Sequence, residues 1–187
     1  MEIYLIRHTT PDVAKGICYG QTDLGVKTSF GEEVSRLKTL LPERFDHIYH
    51  SPLQRCVQLA QEFESPIVKT DDRLKEMSFG DWEMLPWNDI PKEQLDPFMQ
   101  DFVNLCPPQG ESFNIFHERV NAFFNEIPYE EGKTVGIFAH GGVIRSIICG
   151  ILDIPLEKAF QVVVDFGRYC KLKRISADIT NVMMVNA

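Results

Sequence analysis

Four short apolar or β-branched runs constrain the fold of this chain more than any other feature. They are "EIYLI" (2–6), "HIYH" (47–50), "PIVK" (66–69) and "TVGIFA" (134–139), each bounded by turn residues. Helical patterns lie between and after them. "GEEVSRLKTLL" (31–41) is amphipathic, and "PLQRCVQLAQEF" (52–63) spaces Leu53, Val57, Ala60 and Phe63 for one helical face, with Pro52 suited to a first helical position. "GGVIRSIICGIL" (141–152) is apolar and is expected to close near Gly150 to Asp153. Residues 161–175 and 182–186 read as closing strands, antiparallel partners among them. Strands alternating with helices predict an α/β fold with three layers, α/β/α, around a mostly parallel sheet. Residues 79–112 break the pattern with both tryptophans, five of the eleven prolines and weak periodicity. They predict a small cap inserted into a single domain spanning 1–187.

Charge and cysteine usage exclude several function classes. A formal charge of −8 argues against nucleic acid or an anionic membrane as partner, so a bound anion would need the few cations concentrated in one place. The five cysteines are odd in number, scattered and never in a C-x-x-C pair, which predicts reduced thiols, a cytoplasmic setting and no zinc site. The first strand begins at once, leaving no room for a signal peptide, and the most apolar stretch is short and carries Arg145, so no membrane span is expected. The sequence leaves the oligomeric state open, a homodimer included.

In open α/β sheets ligands bind beyond the carboxyl ends of the strands. The first strand ends in Arg7-His8. The second runs into "SPLQR", where a helix starts at Ser51-Pro52 and carries Arg55. The fourth ends in "AHGG", where His140 precedes Gly141 and Gly142. Two helix amino-termini are expected to aim free N–H groups at the same space. Taken singly, each residue has an ordinary explanation: Arg55 as a solvated helix residue, His140 as a hydrogen-bonded core histidine, Ser51-Pro52 as a plain helix start. Their coincidence at successive strand ends is what predicts a phosphate-sized anion site.

With these residues in view, "LIRH", "YGQTDLGVKTSFG", "SPLQR", "LKEMSFGDWE", "PPQGES" and "AHGGVIR" resemble, in order, the motifs of the histidine phosphatase superfamily, whose fold is phosphoglycerate mutase-like. The resemblance runs from residue 3 to about 175. "CYGQTD" together with "FGDWE" is most similar to the α-ribazole-5′-phosphate phosphatase branch. It implies a phosphomonoester as the small-molecule partner, no metal and no other cofactor. It makes His8 the nucleophile that becomes phosphorylated, Arg7, Arg55 and His140 the ligands of the phosphoryl oxygens, and Glu76 the general acid and base. Tyr19, Gly20, Gln21 and Gly141 are implied to line the substrate side. Gly20 is expected to permit a tight turn, Gln21 to donate to a phosphate or ribose oxygen, and Thr22 and Asp23 to cap the turn. Glu111 and Ser112 either approach the phosphate, or Ser112 is a helix N-cap. Phe79, Trp82, Trp87 and Phe98 either stack on a planar base or form a small cap core. Arg145 is expected to be a structural ion-pairing residue.

Two departures from the family pattern lie near the site mouth: Thr9 and Pro11 stand where Gly and Thr or Ser are usual, and Met84 stands where Gly usually follows "WE". Competing chemistries fare poorly. No cysteine has an arginine at C-x₅-R spacing, no D-x-D occurs, and "EEGKT" (130–134) precedes a strand and has Ile127 where a P-loop needs glycine. The two histidines of "HIYH" point to opposite faces of a strand. A mutase would use the same His8 chemistry with longer insertions, a broad-specificity phosphatase shares most of these strings, and an inactive phospholigand-binding module would not need all five of Arg7, His8, Arg55, Glu76 and His140.

Overall fold

The four strand runs become neighbours in one six-stranded sheet in the computed structural model, which describes residues 1–187. The strands are β1 (Glu2–Arg7), β2 (His47–His50), β3 (Ile67–Thr70), β4 (Thr134–Ala139), β5 (Tyr169–Arg174) and β6 (Thr180–Met184), in the order β3-β2-β4-β1-β5-β6. The first four run parallel, whereas β5 is antiparallel to both β1 and β6. The helices are α1 (Phe30–Leu40), α2 (Gln54–Ala60), α3 (Lys92–Gln100), α4 (Phe113–Glu126) and α5 (Gly141–Leu152).

Alternation along β1 explains why its sequence is apolar throughout. Ile3 and Leu5 face a core shared with α4 and α5, while Tyr4 and Ile6 face a second core with Val34 and Leu37 of α1 and Leu59 of α2. Both faces are covered, so the expected three layers form. Ile3, Leu5 and Ile6 are fully buried, each worth about 1.5–3 kcal/mol of hydrophobic stabilisation.

Several boundaries differ from expectation. Pro52 precedes α2 instead of entering it, because the helix begins at Gln54 after the extended Leu53. The expected strand over 161–175 is only its second half. Leu156–Gln161 is a 3₁₀ turn, and residues 162–168 cross the end of β1 as a loop turned by Gly167 at φ 58°. Helix α5 ends where expected, with Asp153 left-handed at φ 52°. Helix α4 is read from sequence only through Ser112 as an N-cap, which the structure bears out: its side chain accepts from Ile115 N–H, and Phe116, Val120, Phe123 and Phe124 form the buried stripe. Within 79–112, Trp82, Ile90 and Phe98 join the same apolar core as α4 and α5.

Candidate active site

Pairing in the sheet brings the three strand ends into register. Arg7 lies opposite Ala139 and His50 opposite Phe138, so the residues that follow, His8, His140 and Ser51, emerge together. Backbone bonds hold them there: His8 N–H donates to Ala139 O at 3.0 Å and Ser51 N–H to Phe138 O at 3.0 Å.

His8 is 2% exposed. Its Nδ1 lies 2.7 Å from the Thr9 carbonyl oxygen, which can only accept, so Nδ1 carries the proton and Nε2 keeps its lone pair. Arg55 Nε–H donates to that Nε2 at 3.3 Å. Burial, then the charges of Arg55 and Arg7, holds the imidazole pKa well below the ordinary histidine value, so the ring is neutral at neutral pH. His140, also fully buried, sits with its ring centroid 5.1 Å from that of His8 and its Nε2 2.8 Å from Ser51 Oγ. Burial and then the Arg55 charge depress its pKa in the same way.

The two arginines are held differently. Arg55 is wholly buried on α2 and donates through Nη2 to Gly20 O at 2.6 Å and through Nη1 to Thr22 O at 2.9 Å. Arg7 stacks its guanidinium 3.7 Å from the Phe166 ring centroid and donates through Nη1 to Val164 O, while its buried Nε has no partner. A Cβ on Gly141 would stand 3.2 Å from Arg7 Cζ and Nε, so glycine lets that guanidinium lie on the start of α5.

Glu76, beyond β3 at the far side of β2, reaches back to the same place. Its Oε2 accepts from Gly142 N–H and its Oε1 from Met77 N–H, both at 3.0 Å. A Cβ on Gly142 would come within 2.2 Å of Oε1, so any side chain there would push the Glu76 carboxylate out of this place. One N–H at each of the two helix amino-termini is therefore not free. Glu76 takes the Gly142 N–H of α5, and Asp23 takes the Gln54 N–H of α2 at 2.7 Å. Asp23 therefore caps a helix and not its own turn.

Residues 19–23 form the facing wall. Tyr19 lies with Arg55 Cζ 5.8 Å from its ring centroid; burial raises its hydroxyl pKa, and the charges of Arg7 and Arg55 oppose that rise. Gly20 is needed for close approach and not for a turn, since its Cβ would sit 1.9 Å from Met77 O. Gln21 gives one amide N–H to Glu76 O at 3.1 Å. Glu83, which the sequence did not single out, ties this wall down: Oε1 accepts from the N–H groups of Gln21 and Phe79, and Oε2 from Thr22 N–H and hydroxyl. Burial pushes the Glu83 carboxyl up, but these donors outweigh it and hold the pKa below the ordinary range. Met84, next in the chain, is left-handed at φ 68°, which explains why glycine suits that position.

Other expectations resolve as packing. Trp82 and Phe98 meet edge to face at 5.2 Å and Phe79 and Trp87 at 5.4 Å, and these rings pack into the core shared with α4 and α5 and not a cap core of their own. Arg145 has no carboxylate partner, contrary to expectation. Its Nε donates to Val162 O at 3.0 Å, its Cζ lies 5.3 Å from the Phe160 centroid, and its Nη1 flanks Gly141 on the same side as Arg7. Phe166 and Val164 were missed because their segment reads as strand.

Two buried neutral histidines make stability depend on pH in a predictable direction. In the unfolded chain each takes up a proton near pH 6.5, whereas in the folded chain each resists it. The unfolded state therefore binds more protons below that value, and stability is full above about 6.5 and falls as pH drops. Denaturant titrations at pH 7, 6 and 5 are expected to lose on the order of 1 kcal/mol per pH unit per histidine below 6.5. Stability that stays constant from pH 7 to 5 contradicts this.

Comparison with known proteins agrees with the geometry. Residues 3–186 match the model of the histidine phosphatase superfamily (branch 1). A protein of Hydrogenobacter thermophilus provisionally named phosphoserine phosphatase 2 is 30% identical over 172 residues, 87% of this chain and 84% of that protein. The adenosylcobalamin/alpha-ribazole phosphatase of Escherichia coli K12 is 28% identical over 177 residues, 89% of this chain and 87% of that one. The crystal structure of the alpha-ribazole phosphatase from Shigella flexneri superposes with a TM-score of 0.91 at 27% identity, covering 100% of this chain and 96% of that one. On the match across its length and the fold it shares with these phosphatases, the chain belongs to the histidine phosphatase superfamily.

Proposed function

We propose that the protein hydrolyses phosphomonoesters through a phosphohistidine on His8, and that its substrate is α-ribazole 5′-phosphate in cobalamin nucleotide-loop assembly. The observation that carries the chemistry is the Nδ1–H bond of His8 to Thr9 O, which leaves Nε2 as a neutral, fixed nucleophile. The Nε2 lone pair forms the N–P bond as the ester P–O bond breaks, and the departing alkoxide takes a proton from Glu76. Water then attacks phosphorus, the N–P bond breaks, and Glu76 recovers a proton from that water. Arg7, Arg55 and His140 stabilise charge on the phosphoryl oxygens during both transfers.

Support for the substrate comes from the two strings "CYGQTD" and "FGDWE", which Glu83 ties into one wall, and from relatives bearing the α-ribazole phosphatase name. A second reading, a small phosphorylated acid such as phosphoserine, is favoured by Arg145. An unpaired guanidinium beside Arg7, at the positive end of α5, suits a second negative charge on the substrate. The test compares kcat/KM for α-ribazole 5′-phosphate, phosphoserine, 3-phosphoglycerate and p-nitrophenyl phosphate. The expected result is a lead of at least about tenfold for α-ribazole 5′-phosphate. A lead for phosphoserine replaces it with the acidic substrate, and a flat profile makes the enzyme a generalist.

A further inference from the structure

Glu76 lies in no helix or strand. It follows the short Asp72–Leu74 turn, so no element of its own fixes its backbone. Besides Gln21, which donates to the Glu76 carbonyl, the restraint comes from Arg119 on α4. Its Nε and Nη2 grip both oxygens of Glu111 at 3.0 and 2.6 Å. Its Nη1 donates to the carbonyls of Arg73 and Lys75 at 2.7 and 2.9 Å, and Nη2 donates to the carbonyl of Glu76 at 3.0 Å. All five N–H groups of the guanidinium are used. Glu111 also accepts from Ser78 N–H at 2.8 Å, and its own N–H donates to Ser78 O at 3.1 Å. The stretch 73–78 is thus held on both sides of Glu76. The Arg119 and Glu111 side chains are 21% and 13% exposed, so the pair is shielded from the screening that weakens surface ion pairs.

We propose that Arg119 and Glu111 are positioning residues, a latch from α4 that fixes the backbone of Glu76 so that its carboxyl meets the leaving oxygen. This rests on Glu76 acting as the general acid. The latch touches no substrate; it acts only through where Glu76 stands, and a misplacement of about 1 Å can cost on the order of a hundredfold in rate.

The test exploits leaving groups. An alkyl phosphate such as glycerol 3-phosphate needs the proton from Glu76, whereas the phenolate of p-nitrophenyl phosphate departs without it. Glu76→Gln is the reference and is expected to lose about a hundredfold or more in kcat/KM on the alkyl ester and only a few-fold on the aryl ester. Arg119→Lys keeps the charge but cannot span the same acceptors. It is expected to show the same selectivity, about ten- to a hundredfold on the alkyl ester and under about threefold on the aryl ester. Glu111→Gln, a milder change, is expected to follow the pattern with a smaller loss and stands in if Arg119→Lys does not fold. Equal losses on both esters, or none, overturn the latch. If Glu76→Gln itself shows no selectivity, the general-acid assignment falls, and the latch with it.

Discussion

Replacing His8 with alanine is expected to lower phosphatase turnover by at least about 10⁴-fold, because it removes the neutral Nε2 that the bond to Thr9 O fixes as nucleophile. Cys56 cannot replace it: the side chain is fully buried, with its Sγ 3.4 Å from Ala139 O and 3.5 Å from His140 Nε2, and burial pushes its thiol pKa far up. It carries no thiolate to attack with. Wild-type enzyme quenched during turnover with labelled substrate should hold label that is lost in acid and retained in base, as a P–N bond requires, and the variant should hold none. The substitution should leave the fold intact, since the His8 side chain makes one backbone bond and one bond to Arg55. It should also flatten the fall of stability below pH 6.5, because one buried imidazole no longer resists protonation. Wild-type turnover in His8→Ala, or label that survives acid, refutes the assignment.

What the sequence could reveal divides by the range of the interaction. The parallel strands and the α/β class were legible because each depends on periodicity within a few residues, and the strand ends carrying Arg7, His8 and His140 followed from topology. The missed elements depend on contacts between distant segments. The body of helix α4 was overlooked although Phe116, Val120 and Phe123 keep helical spacing, because the preceding "PPQGES" reads as loop and four phenylalanines suit a strand as well as a helix. Glu83 looked like one more acidic residue of the 79–112 segment, yet its carboxylate closes three bonds to residues 21 and 22 and one to Phe79 N–H. Phe166 and Val164 reach Arg7 only because Gly167 turns the chain at φ 58° and Asn186, near the chain end, ties down Asp165 through Asp165 N–H at 2.7 Å and its carboxylate at 2.9 Å. Each helix terminus likewise gives one N–H to a carboxylate far away in sequence, Gln54 N–H to Asp23 and Gly142 N–H to Glu76.

Arg55 is where stability and chemistry meet, and Arg55→Met is expected to damage both. The guanidinium is fully buried and is bonded to Gly20 O, Thr22 O and His8 Nε2. Methionine fills similar volume but leaves the buried Gly20 carbonyl without its donor, at about 1–3 kcal/mol, while Thr22 O keeps the Leu24 N–H; Tm should fall by several degrees. Activity should fall by about 10³-fold or more. Loss of one charge on the phosphoryl oxygens accounts for roughly a hundredfold of that. The remainder follows from the wall that carries Tyr19 and Gln21, which loses two of its bonds to α2 and keeps the one from Gln54 N–H to Asp23. Arg55→Lys separates the two contributions. It restores a positive charge but cannot span both carbonyls and the imidazole, so it should recover less than about tenfold of the lost rate and little of the lost Tm. Recovery of most of the activity by lysine would mean that charge alone matters at this position, and that the bonds to residues 20 and 22 do nothing for catalysis.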